Sequence, residues 1–165
     1  MTENITAKGF TLIELVVAVA IVSILAAAAL PMNELVVQRA KEQDLRRALR
    51  DIRTAIDAHK QACDDVPPRI AKCDRVSGAS GYPKRLEDLV EGIEDQRSLK
   101  REKIYFLRRI PRDPFATDSA LSDAATWAKR SYASPPDEPR EGEDVFDVYT
   151  TATGKGINGR PYREW

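Results

Sequence analysis

FTLIELVVAVAIVSILAAAALPMNELVV, residues 10–37, is nearly continuous hydrocarbon, whereas most of the chain after Gln38 is rich in Arg, Lys, Asp and Glu. Crossing a bilayer as a helix takes ~20 predominantly apolar residues. Leu15–Leu30, extended by Phe10, Leu12 and Ile13 before it and by Met32 after it, approaches that length and reads as a membrane helix. The rival reading is a cleavable secretory signal, whose apolar core of ~7–15 residues ends at a small-residue site. Ala26–Ala29 offer such a pattern, but the apolar run is longer than that core. Glu14 lies inside the run. A carboxylate at the centre of a membrane helix costs on the order of 2.5–3.5 kcal/mol, and less near an end. Glu14 therefore calls for a partner, or for a place near the helix start from which it can snorkel to the headgroups.

Outward from this segment, the 165 residues suffice for one modest domain plus an appendage. Lys and Arg number 26 and Asp and Glu 26. A balanced charge leaves no electrostatic footprint for phosphate backbones, so no nucleic acid is expected as a partner. Leu45, Leu49, Ile52 and Ile56 recur at helical spacing, with Arg46, Arg47, Arg50, Asp51, Arg53 and Asp57 on the other faces. This predicts one long helix continuous with the apolar segment, kinked at Pro31 and ended by Pro67 and Pro68. The stripe covers too few heptads for a coiled coil and is expected against a small sheet.

Gly81–Val90 reads as a turn into a short helix with Leu86, Leu89 and Val90 inward, and Tyr105–Phe115 as an extended apolar patch broken by Pro111 and Pro114. Trp127–Ser134 and Asp144–Thr151 alternate as half-buried antiparallel strands do. Ser134–Glu143 between them is a polar, proline-rich loop. The terminal stretch is expected to lie on the sheet through Tyr162 and Trp165. The fold class is α+β: a long N-terminal helix, part anchor and part spine, on a small antiparallel β-sheet.

Few residues suggest chemistry. Cys63 and Cys73 flank CDDVPPRIAKC and are a candidate disulfide, which would need an oxidising compartment; the alternative is two free thiols. Gly154-Lys155-Gly156 lacks the spacing of a phosphate loop. His59 has no nucleophile pattern around it, and the carboxylates of 137–147 read as a solvated loop. The chain is not expected to be an enzyme.

Lys8-Gly9-Phe10-Thr11-Leu12-Ile13-Glu14-Leu15 resembles the processing site of type IV pilins and type II secretion pseudopilins, and Pro31 lies where members of that family commonly place a proline. The resemblance implies cleavage by a prepilin peptidase between Gly9 and Phe10 and N-methylation of Phe10. It also implies that Glu14 meets the Phe10 amine of a neighbouring subunit during assembly. The expected division is a leader at 1–9, a transmembrane and assembly helix at 10–33, the soluble half of the helix at 34–66 and a globular domain at 67–165.

Gly81-Tyr82-Pro83, the leucine-rich short helix and Ile110-Pro111-Arg112-Asp113-Pro114-Phe115 resemble the major pseudopilin of type II secretion. By that resemblance the chain is a structural subunit polymerising into an inner-membrane-based pseudopilus, with other pseudopilins, the assembly platform and its motor as partners. It would be single-pass in the inner membrane with its C-terminal domain periplasmic. The charge rule points the other way, since Lys8 stands alone before the span while Arg39, Lys41, Arg46, Arg47 and Arg50 follow it. A type IV pilus subunit and a membrane-tethered periplasmic binding module are the alternatives. Major pseudopilins commonly hold calcium in a C-terminal loop. Here Asp144, Asp147 and Asn158 are the candidate ligands if the fold brings them together, but no aspartate follows Asp147 and Arg160 and Arg163 oppose a cation; no other cofactor is expected.

Overall fold

The computed structural model describes residues 9–70, 73 and 80–165, and of 27–33 the backbone alone. Residues 1–8, 71–72 and 74–79 and the Pro31 side chain lie outside the described residues, and with them most of the expected leader. The chain divides into two compact units, Met1–Ala40 and Lys41–Trp165. Helix α1, Leu12–Asp64, contributes to both.

In the second unit α1 buries one stripe. Glu42, Leu45, Ala48, Leu49, Ile52, Ala55, Ile56, His59, Ala62 and Cys63 are buried, while Arg46, Arg47, Arg50, Asp51 and Asp57 stay exposed. The spacing of three and four residues lays these side chains on one face. Each fully buried Leu or Ile contributes about 1.5–3 kcal/mol of transfer free energy. The helix stops at Asp64, ahead of Pro67 and Pro68. There the Arg69 amide donates back to the Ala62 carbonyl (2.9 Å).

The core facing this stripe comes from Leu86, Leu89, Ile110, Ala124, Trp127, Val145, Val148 and Tyr162. Helix α2 is a single turn, Asp88–Glu91. Leu86 and Leu89 are fully buried there and Val90 partly so. Gly92 ends the turn at φ 78°, and a Cβ there would lie 2.7 Å from the Tyr105 ring. Both the positive φ and the close ring favour glycine at this position.

The sheet expected as one is two. β1, Ile93–Glu94, pairs antiparallel with β2, Lys103–Ile104. β3, Trp127–Arg130, pairs antiparallel with β4, Asp147–Thr150, with Trp127 opposite Thr150 and Arg130 opposite Asp147. The β3–β4 hairpin occupies the stretches with alternating sequence, shortened at both ends because residues 131–146 turn away. Tyr105–Phe115 is irregular and does not join the two sheets. Its prolines lack a ladder donor, and the buried Asp113 organises it instead. The Asp113 carboxylate accepts from Thr150 Oγ1 (2.5 Å) and from the Phe115 amide (2.8 Å), while the Asp113 amide donates to Thr126 Oγ1 (3.2 Å). The architecture is the α+β, pilin-like one of a long N-terminal helix with a small antiparallel β region.

Candidate functional site

The first helical turn explains itself through two side chains. Thr11 precedes α1 and Glu14 is its third residue, the spacing of a capping box. The Thr11 amide and hydroxyl both donate to Glu14 Oε2 (3.2 Å each), and the Glu14 amide donates back to Thr11 Oγ1 (3.3 Å). Two helix-start amides are satisfied reciprocally, and the carboxylate sits at the positive end of the helix dipole. Glu14 thus has an intramolecular partner in Thr11. The threonine-x-x-glutamate pattern signals this directly, but the reading of Glu14 as a lone charge in hydrocarbon passed over it. Gly9 and Phe10 lie outside the helix and both are exposed, Phe10 by 86%. The peptide bond between them is open to a processing enzyme, and an amine released at Phe10 would stand one residue before the box.

Beyond Glu14 the helix carries no stripe. Leu15, Val16, Val17, Val19, Ile21, Val22, Ile24 and Leu25 are all exposed. Ser23 donates its hydroxyl to the Val19 carbonyl (2.7 Å), so its polar group is satisfied within the helix. A helix apolar on every side is stable when lipid or other protein surrounds it. Among the described residues no helix is long and apolar enough to cross a membrane. The expected crossing by 10–33 runs through positions 27–33, whose side chains lie outside the described residues.

The remaining candidates fall in the second unit. Cys63 and Cys73 form a disulfide with Cα atoms 5.4 Å apart, beside a small cluster of Ala62, Ile70 and Ile93. His59 sits on the buried stripe and not on a charged face; its Nδ1 pairs with the Gly81 carbonyl (3.2 Å) and its ring tilts against Phe106. Gly154-Lys155-Gly156 closes a turn: Tyr162 N–H donates to the Gly154 carbonyl, and Gly156 N–H to that of Arg160.

The calcium candidates are each committed elsewhere. Asp144 accepts from Ser80 Oγ and from the Tyr132 amide, Asp147 accepts from Arg53 Nε at 2.7 Å, and Asn158 Oδ1 accepts the Arg160 amide. Calcium takes 6–8 oxygens, and a carboxylate already facing a guanidinium does not fit that shell. No group of three or more His, Cys, Asp or Glu side chains able to hold a metal occurs among the described residues.

Buried carboxylates escaped the sequence reading, Glu42 among them. Glu42 accepts from the Ile157 amide (2.9 Å) and the Tyr162 hydroxyl (3.0 Å), clasping the terminal segment onto α1. Its partners lie over a hundred residues away in sequence, so periodicity along the helix gives no hint of them.

No curated protein and no solved structure matches the chain. Residues 6–30 match the prokaryotic N-terminal methylation motif. That motif is a type IV pilin and pseudopilin signal. It supports the pilin-like class and points to a structural subunit; the motif implies processing by a prepilin peptidase, assembly with other pilin-like subunits and membrane association through the N-terminal helix.

Proposed function

We propose that the chain is a pseudopilin of a type II protein secretion system, cut between Gly9 and Phe10, methylated at Phe10, and polymerised into a short filament rooted in the inner membrane. The observation that carries this reading is the methylation motif at residues 6–30 coinciding with an exposed Gly9–Phe10 bond and a capped helix start. The glycine-tyrosine-proline turn at 81–83 and the Ile110–Phe115 segment favour secretion over a pilus by their resemblance to major pseudopilins.

In this reading residues 10–33 cross the inner membrane once, the C-terminal unit is periplasmic, and the assembly platform and its motor are partners. The Cys63–Cys73 disulfide suits an oxidising periplasm. The capping box holds the Glu14 carboxylate at the helix start, where the Phe10 amine of an incoming subunit can exchange for the Thr11 contacts. A charge whose full partner arrives only on polymerisation favours correct register.

Intact mass and N-terminal sequencing of the protein from its native membrane test the reading. A mature chain beginning at methylated Phe10 is expected; an intact Met1 or a cut near Ala29 overturns it. Deletion of the gene should abolish secretion of folded proteins and leave surface pili in place, and the reverse phenotype assigns the subunit to a pilus. Assembly by a Glu14→Ala variant at wild-type yield would refute the register role of Glu14.

A further inference from the structure

The second unit carries a groove of about 300 Å³ between α1 and the terminal segment, in which Arg46, Arg50, Arg53 and Arg160 surround Trp165, with Glu164 at its edge. Arg53 is committed: it bonds Asp147 (2.7 Å) and the backbone oxygens of Val148 and Trp165. Arg46 stacks on the Trp165 ring at 4.2 Å, and its carboxylate contact, Glu42, is distant at 3.9 Å. Arg50 and Arg160 are exposed and have no carboxylate partner among the described residues. Arginine guanidinium groups fix carboxylates through paired N–H donors, and stacking on an aromatic ring orients one of them in advance.

The opposite charge is on the same chain. The loop between β3 and β4 exposes Asp137, Glu138, Glu141 and Glu143. Arg140 pairs with Glu138 (2.5 Å) and Lys129 approaches Glu141 (3.9 Å), which leaves Asp137 and Glu143 without a cation among the described residues. The loop and the groove share no lining residue.

We infer that the arginine groove receives the acidic 137–143 loop of a second copy of this chain, an inference that rests on the filament reading above. A groove on one copy and a loop on the next form a heterologous contact, which repeats without closing and so builds a filament in place of a dimer. The axial offset suits a staggered stack. Tyr132, at the start of the loop, stacks on Tyr82, which lies under Lys60, whereas the groove flanks Arg46–Arg53. Seven to fourteen residues of α1 separate these levels, roughly 10–20 Å at 1.5 Å per residue. The charged contacts would set register, and elevated salt would weaken them.

The test uses the full-length chain in its native membrane, with filament yield measured by crosslinking and the protected Cys63–Cys73 bond as a control for folding. Arg50→Glu with Arg160→Glu, and separately Asp137→Lys with Glu143→Lys, should each lower the yield about tenfold or more, a loss equivalent to 1.4 kcal/mol per decade. All four substitutions together should restore most of it. Filaments at wild-type yield in either paired variant, or no recovery in the combined variant, overturn this contact while the filament reading stands. A loss in the groove variant that follows the anionic-lipid content of the membrane, and that the loop reversal does not correct, assigns the groove to lipid headgroups and also overturns it. A wild-type chain that forms no oligomers sinks both readings together.

Discussion

Residues 15–25 and residues 45–63 belong to one helix, yet they handle apolar side chains by different rules. In the first stretch Leu15, Val16 and Val17 are neighbours, and all three are exposed. In the second, Leu45, Leu49, Ile52 and Ile56 are buried on one face, while Arg46, Arg47 and Arg50 between them are exposed. The packed stretch has its solvent-exclusion partner within the chain. The other does not among the described residues, so its apolar surface has value only in lipid or against further subunits.

The largest expected effect breaks this comparison directly. Ile52→Ala should cost about 2–5 kcal/mol of unfolding free energy, since a fully buried side chain leaves a cavity behind. Ile21→Ala should change the same quantity by no more than about 0.5 kcal/mol while lowering assembly. Denaturant titration of the detergent-solubilised chain, followed by the fluorescence of the buried Trp127, reads both. Equal costs at the two positions would show that the N-terminal stretch packs intramolecularly after all.

Next in size is the crosslink. The Cys63–Cys73 bond closes a loop with a sequence separation of 10 at the end of α1. Its removal by Cys63→Ser with Cys73→Ser should cost about 2–3 kcal/mol on the chain-entropy account, again by denaturant titration, and leave the capping box untouched. Glu42→Ala should follow at about 1–3 kcal/mol, because it strands the Ile157 amide and Tyr162 hydroxyl. Glu42→Gln keeps an acceptor oxygen and should cost less. Equal losses for the two Glu42 variants would assign the effect to charge and not to the hydrogen bonds.

How much of this was legible follows from the range over which each device acts. The stripe 45–56 and the β3–β4 hairpin announce themselves through periods of 3.6 and 2 within a short window. β1 and β2 are two residues each, too short for any period to register. Asp113 acts through Thr126 and Thr150, 13 and 37 residues on, and Glu42 through Tyr162, 120 residues on. No local pattern encodes such pairs. The capping box differs: Thr11 and Glu14 stand three apart in plain view, and the hydrocarbon around Glu14 drew the reading toward a missing partner. The proposed processing bond between Gly9 and Phe10 rests on a motif, for nothing in the physical chemistry of glycine before phenylalanine singles out that bond.

The smallest effect is a titration confined to the packed unit. Asp95 is held below the usual carboxylate value of 3.8, first because the Arg97 amide donates to its Oδ1 (2.9 Å), with burial opposing and Arg69 at 3.1 Å adding to the depression. A carboxyl whose folded pKa is depressed contributes stability that is present above its unfolded value and disappears as pH falls through its folded value. The difference in Tm between the wild type and Asp95→Asn should therefore be present at neutral pH and close as the pH drops below about 4. A difference that persists unchanged into acid would mean that Asp95 acts through hydrogen-bond geometry that asparagine fails to reproduce, and not through its charge. In either case the change should be read in residues 41–165 alone.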